Sequence, residues 1–257
     1  SDLQRLLDEL RVRPGVRIEL IGRSAEGRPL EMVSLGPERP AHSFVVRARA
    51  HPWEAGGNWV AQGLLRRLAR GEDEGTRRLM ARASVHVMPM ANKDGVARGM
   101  TRFNVRGADL NRRWDRPSDP ELAPENHALE MWLERRIREA GPPTLALDLH
   151  NDGSGRLHVA RPPDVALAAY LERMALLERC LRSRTWFTEG TSAASFSNPG
   201  SLGEGWLERY GVTAAVLELN SNYVAGRDSP PSPALWEEFG AALVDVFNDY
   251  CDALASR

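Results

Sequence analysis

Phe44-Val-Val-Arg-Ala-Arg-Ala50 runs directly into His51-Pro-Trp-Glu54, and a helical pattern over residues 55–70 follows. An apolar run that ends in a histidine, with a carboxylate three residues on, reads as a strand feeding a helix. Both side chains then leave the strand's carboxyl end, where open α/β sheets place their chemistry. A second apolar run, Leu145-Ala-Leu-Asp148-Leu-His150, also closes on a histidine. A lone histidine at a strand end more often serves as a hydrogen-bonded structural group. Two histidines and a carboxylate together bind a divalent metal and leave one position open to water, which is the arrangement of a catalytic rather than a structural zinc site. His51, Glu54 and His150 are therefore the candidate metal ligands.

Outward from this pair, apolar alternation marks strands at 17–21, 30–35, 43–50, 85–90, 144–150, 157–160 and 212–219, and helical spacing marks 3–10, 55–70, 76–83, 121–140, 163–182, 206–210 and 234–255. Alternating strands and helices define an α/β fold, a sheet with helices on both faces. No internal repeat or linker-like segment divides the chain, so residues 1–257 read as one domain. Two long stretches, 92–120 and 185–204, lack a period; loops of that length are functional or disordered. The first holds Trp114 and several arginines and reads as functional, and the Ser/Gly-rich second suits a mobile lid.

Lys and Arg number 34 against 35 Asp and Glu, a net charge of −1, so bulk electrostatics favours no nucleic-acid partner. No stretch is long and apolar enough to cross a membrane. The two cysteines, Cys180 and Cys251, have no metal-binding spacing and read as buried thiols in a reducing, cytoplasmic setting. No signal peptide is visible, but the chain starts at Ser1 without Met, which leaves room for a trimmed leader. Oligomeric state is not legible.

Glu218 stands on an otherwise apolar strand. Burying an unpaired carboxylate is costly, about 2–7 kcal/mol even for a neutral polar group, so it must be paired, protonated or facing a cleft. It is either an ion pair with one of the many arginines or a general base beside a metal-bound water. Asn111-Arg112 combines a side-chain amide with a planar guanidinium fork, which suits a carboxylate ligand. Arg102 is suited to polarising a carbonyl and holding an oxyanion. Asp109 is placed to orient a ligating histidine from behind.

In order along the chain, His51-x-x-Glu54, Asn92-Lys-Asp-Gly95, Arg102, Asp109-Leu-Asn-Arg112, Asp148-Leu-His150 and Leu217-Glu218-Leu219 resemble the M14-type zinc carboxypeptidases, as does the turn Gly27-Arg-Pro-Leu30. The resemblance runs from about Ile21 to Leu219. Ala48-Arg-Ala-His-Pro-Trp-Glu54 and Asp109-Leu-Asn-Arg-Arg-Trp114 look most like the cytosolic-carboxypeptidase-like branch, without room for that branch's extra amino-terminal β-domain. The resemblance implies a mixed, about eight-stranded sheet with its site at the sheet's edge loops. It implies one zinc on His51, Glu54 and His150, with Asp109 orienting His51. Glu218 would take the proton from the zinc-bound water and pass it to the leaving amine. Arg102 would stabilise the tetrahedral oxyanion, and Asn111 and Arg112 would hold the substrate's terminal carboxylate.

The chain departs from the family in two places. Lys93 stands where a Pro is usual. Where many members carry a lid Tyr, Phe196-Ser-Asn-Pro-Gly-Ser-Leu-Gly-Glu-Gly-Trp206 supplies Phe196, which lacks a hydroxyl; Tyr223 is a possible replacement. Glu204 lies near the family's side-chain pocket, where an acid favours a basic terminal residue. The cytosolic branch implies the opposite preference, for an acidic residue met by Arg161 or Arg98. The function expected is zinc-dependent metallocarboxypeptidase action on a peptide with a free carboxylate. The alternatives are a related zinc amidase or deacylase acting on a small carboxylate-bearing substrate such as a cell-wall peptide, and a non-catalytic zinc-binding domain of the same fold.

Overall fold

Phe44 and Val46 point into one hydrophobic core and Val45 between them points into another. The same two-residue alternation sends Leu145, Leu147 and Leu149 to the first core and Ala146 to the second. Each central strand is thus buried on both faces, as the apolar runs require. In the computed structural model, which describes residues 2–163 and 165–256, the strands are β1 (Arg17–Arg23), β2 (Pro29–Leu35), β3 (His42–Ala48), β4 (Ala83–Met88), β5 (Leu145–Asp152), β6 (Leu157–His158) and β7 (Ala214–Asn220). The helices are α1 (Asp2–Arg11), α2 (Ala55–Arg70), α3 (Glu74–Arg82), α4 (Lys93–Ala97), α5 (Pro124–Ala140), α6 (Ala168–Arg184), α7 (Leu202–Tyr210) and α8 (Pro233–Ala255). Side chains of α1, α2, α3, α6 and α8 fill the first core, and those of α5 and α7 fill the second.

The strands form one seven-stranded mixed sheet in the order β1-β2-β4-β3-β5-β7-β6, one strand fewer than expected. The inner strands β4, β3, β5 and β7 are parallel, and β1, β2 and β6 pair antiparallel at the edges. After β3 the chain moves outward to β4 and then returns to place β5 on β3's other side. The direction of winding therefore reverses between β3 and β5, and a crevice opens at their carboxyl ends. That corrects the expected edge-loop location: the site sits over the centre of the sheet.

Local chemistry shifts several boundaries. The strand expected over 43–50 ends at Ala48 because Arg49 takes φ +62°, a left-handed conformation that turns the chain toward His51. Backbone bonds from Ala91 N to Ala48 O (2.9 Å) and Asn92 N to Arg49 O (3.0 Å) hold the turn. Pro124 at the first helical position sets the start of α5, later than expected. Residues 92–120 are not wholly irregular: Asn92 accepts from Gly95 N and caps the short α4. The helix expected from 163 begins at Ala168, and Asp164 within that span lies outside the described residues. Helices α2 and α8 cross with backbones in contact; a Cβ at Gly240 would fall 1.9 Å from Val60 O, so only glycine fits there. Cys180 and Cys251 are buried free thiols. Among the described residues no helix is long and apolar enough to cross a membrane.

His86 on β4 is buried, with Nδ1 2.8 Å from Ser34 Oγ and Nε2 2.9 Å from Ser84 Oγ. Burial, helped by Arg136 and Arg17, lowers its pKa from 6.5 to about 3. The folded protein therefore keeps His86 neutral while the unfolded chain takes up a proton below its ordinary pKa. Its contribution to stability is full above pH 6.5 and is lost as pH falls toward 3, at up to about 1.4 kcal/mol per pH unit. His86→Gln, which cannot titrate, should flatten the acid side of a Tm-against-pH curve in that window. An unchanged slope would place the acid sensitivity in other groups.

Candidate metal centre and cleft

The three ligands expected from sequence come together. His51 follows the turn after β3, Glu54 stands one residue before α2, and His150 lies on β5. His51 Nδ1 is 2.7 Å from Glu54 Oε1, His150 Nδ1 is 2.7 Å from Glu54 Oε2, and the two Nδ1 atoms are 3.2 Å apart. All three residues are buried, and their ligand atoms lie within 4.8 Å of one another. The opposite ring nitrogens face carboxylates: His51 Nε2 donates to Asp109 Oδ1 (2.9 Å) and His150 Nε2 donates to Asp148 Oδ2 (2.8 Å). A carboxylate at Nε2 holds the proton there and leaves the Nδ1 lone pair for a cation. Two lone pairs and a carboxylate would otherwise converge on one point. Ligands about 2.0–2.1 Å from a shared tetrahedral centre stand about 3.3 Å apart, close to the Nδ1 separation found. The donor set thus fits a divalent metal such as zinc.

The electrostatics agree. Burial alone would raise the pKa of Glu54, but the close contacts with His150 and His51 outweigh it and bring the value to about 2. Burial likewise opposes charge on His150, but Asp148 and Glu54 overcome it and raise its pKa well above 6.5. The pocket is built to hold positive charge.

Sequence reasoning singled out Asp109 but gave Asp148 no role, although strand alternation puts it on the same face as His150. It also passed over Arg47. These two are register partners on β3 and β5. Both are fully buried, and Arg47 Nε donates to Asp148 Oδ1 (2.7 Å) while a second guanidinium nitrogen donates to Oδ2. Asn151 also belongs to the site: its backbone N–H donates to Glu54 Oε2 (3.2 Å), and its side-chain oxygen accepts from Gly56 N (2.8 Å).

A cleft of about 400 Å3 opens over the centre and is lined by His51, Glu54, Arg102, Asn111, Arg112, His158, Phe196 and Glu218, among others. The β5–β7 register sets Glu218 beside His150. Among the described residues Glu218 pairs with no arginine, so the ion-pair alternative does not hold; its Oε2 is buried without a hydrogen-bond partner, and its Oε1 lies 3.9 Å from His158 Nε2. Burial, reinforced by Glu54 and Asp152 against the pull of His150, raises its pKa to about 8. Arg102 Nε donates to Asp109 Oδ2 (2.9 Å), which braces its guanidinium at the cleft wall. Asn111 Oδ1 accepts from Leu202 N (2.9 Å), which turns its amide NH2 toward a ligand, and among the described residues Arg112 hydrogen-bonds only the carbonyl oxygen of Asn111 (2.8 Å).

The specificity residues are less uniformly placed. Phe196 lines the cleft and stacks on His158. Glu204 is buried in a small recess that shares His158, Phe196 and Asn198 with the cleft, and burial raises its pKa. Tyr223 is absent from the cleft lining; its hydroxyl donates to Asp228. Arg98 pairs with Glu26 at the surface, and neither Arg98 nor Arg161 lines the cleft. Lys93, the departure from the usual Pro, pairs with Glu31 and touches no group of the centre.

Residues 3–154 match the family model described as zinc carboxypeptidase, peptidase M14. The span is more than half of the chain, and the chain belongs to that family. Cytosolic carboxypeptidase-like protein 5 of Danio rerio is 31% identical over 186 residues, 70% of this chain and 19% of its own length. Cytosolic carboxypeptidase 1 of Homo sapiens is 39% identical over 105 residues, 41% of this chain and 8% of its own. The chain spans no more than about a third of the curated relatives it matches. In fold it is similar to a metallo-carboxypeptidase from Burkholderia cenocepacia, with a TM-score of 0.84, 23% identity, and coverage of 98% of this chain and 69% of that one. It is similar also to the Pseudomonas aeruginosa metallo-carboxypeptidase in complex with (2-guanidinoethylmercapto)succinic acid, with a TM-score of 0.82, 24% identity, and coverage of 98% and 68%.

Proposed function

We propose that this chain is a zinc-dependent metallocarboxypeptidase that hydrolyses the C-terminal peptide bond of a peptide with a free carboxylate. The observation that carries this is the convergence of His51, Glu54 and His150 at the floor of a cleft that also holds Glu218, which pairs with no arginine among the described residues. Zinc on these three residues would supply Lewis acidity and a water acidic enough to ionise near neutral pH. Asp109 and Asp148 hold the two imidazoles in the ligating tautomer. Glu218 takes a proton from the attacking water and delivers it to the leaving amine nitrogen. Arg102, braced on Asp109, donates to the oxygen on which negative charge develops. Asn111 and Arg112 take the terminal carboxylate, Arg112 as a two-pronged donor. Phe196 closes one wall. Glu204 behind it favours a terminal residue with a cationic side chain. The cytosolic carboxypeptidases among the relatives and the two buried thiols support a cytoplasmic location.

Metal analysis of the purified protein, run beside digestion of a peptide library with varied C-termini with and without chelator, tests the whole proposal. The expected result is one zinc per chain and chelator-sensitive loss of single terminal residues. Zinc without cleavage of any peptide would overturn carboxypeptidase action and direct the search to acyl-amino-acid and cell-wall substrates, or to a binding role. Arg112→Ala should raise KM for substrates with a free terminal carboxylate by roughly 10- to 100-fold, the scale of one charged hydrogen-bonding group, about 1.5–3 kcal/mol. The same change should leave kcat nearly intact. An equal effect on C-terminally amidated peptides would remove Arg112 from that role.

A further inference from the structure

β6 is only two residues long, yet it places a histidine beside Glu218. Its antiparallel register pairs His158 with Val216, so His158 stands diagonally across from Glu218 on the same face of the sheet. Glu218 N donates to Arg156 O (2.9 Å), which locks the two segments together. His158 Nε2 is 3.9 Å from Glu218 Oε1. The imidazole lies flat on Phe196, with ring centroids 4.1 Å apart and planes within 8°. Among the described residues His158 Nδ1 and Glu218 Oε2 are both buried without a hydrogen-bond partner. With its proton on Nε2, His158 aims an N–H at a carboxylate and leaves only a lone pair unpaired; the other tautomer would bury an unpaired N–H and set a lone pair against a carboxylate. Burial holds the imidazole below its ordinary pKa against the pull of Asp152, so it donates as a neutral ring.

We propose that His158 is a positioning residue for Glu218: held on the face of Phe196, it donates Nε2–H to Glu218 Oε1 and so fixes the orientation of the carboxylate toward the attacking water. The separation found here is too long for a hydrogen bond and closes when substrate fills the cleft, as such contacts do between free and bound enzymes. Phe196 then acts as a platform. A phenyl ring without a hydroxyl suffices there, because the donor at this wall of the cleft is the imidazole stacked upon it. This proposal rests on Glu218 being the base of the peptidase proposed above.

His158→Phe keeps the stacked ring and removes the donor, and His158→Gln restores an N–H. In His158→Phe, kcat should fall roughly 10- to 100-fold, the range found when a supporting hydrogen-bond partner is lost, while KM, zinc content and Tm stay as in the parent. His158→Gln should recover most of that loss. Unchanged kcat in His158→Phe overturns the proposal, as does an equal loss in both variants accompanied by a lower Tm, the mark of a merely structural residue. A second readout needs no turnover. In nitrogen-15 spectra of the protein with a non-hydrolysable peptide analogue bound in the cleft, His158 should carry its proton on Nε2, and Glu218→Gln should shift that resonance. A resonance indifferent to Glu218→Gln overturns the positioning role even if the parent cleaves no peptide, so this failure is separable from failure of the peptidase assignment.

Discussion

Glu218→Gln should fold, hold its metal and lose turnover by roughly 10²- to 10⁴-fold, the range for removal of a positioned general base, which corresponds to about 3–5.5 kcal/mol of transition-state stabilisation. Glutamine matches the shape of glutamate, so the cleft stays packed. The replacement also relieves the structure, because an unpaired buried carboxylate is exchanged for a neutral group; Tm should hold or rise. What is lost is the ability to accept a proton. Burial raises the pKa of Glu218 to about 8, and a divalent cation on the adjacent ligands would pull it back down toward neutrality. A base poised near the working pH both accepts and returns a proton efficiently. Metal analysis and kcat measured on one preparation check this. A near-normal kcat with full metal would assign the proton transfer to some other group.

The candidate metal ligands were legible because strand ends are legible. Apolar runs closing on His51 and on His150 each announce a carboxyl-end position, and the reversal of winding between β3 and β5 brings the two together. Glu218 was legible for a related reason: a lone carboxylate in an apolar strand must face something. Arg47 offered the same signal, a charge in an apolar run, but arginines are numerous in this chain and one more does not stand out. Its partner Asp148 is 101 residues away in sequence, and only the parallel register of β3 on β5 shows that the two meet. His158 was hidden differently. The strand expected over 157–160 forms only at Leu157–His158, and the significance of its histidine depends on Phe196 and Glu218 arriving from two other segments. Element boundaries were missed where a proline, as at the start of α5 (Pro124), or a left-handed residue, as at the end of β3 (Arg49), decided what averaged periodicity could not.

Asp148→Asn should show how far metal affinity and stability are joined at one side chain. Asp148 is fully buried and accepts from Arg47 through both oxygens and from His150 Nε2. Burial opposes its ionisation, but Arg47 and His150 outweigh it and hold its pKa well below the usual carboxylate range. The ionised form therefore contributes stability above the ordinary pKa of an aspartate, and that contribution fades as acid protonates it. Asparagine removes the charge and strands the Arg47 guanidinium, which is itself fully buried; breaking one side of a buried pair costs about 3–5 kcal/mol. The amide also no longer fixes the proton on His150 Nε2, so metal affinity should fall roughly 10- to 100-fold. The two effects come apart in the double variant Arg47→Met, Asp148→Asn. Methionine removes the stranded cation and keeps the core filled, so much of the stability should return. Metal affinity should stay low, because it depends on the carboxylate at His150 and not on the guanidinium. If affinity recovers with stability, Asp148 supports only the packing beneath the centre. If Asp148→Asn binds metal as tightly as the parent, the tautomer of His150 is set elsewhere.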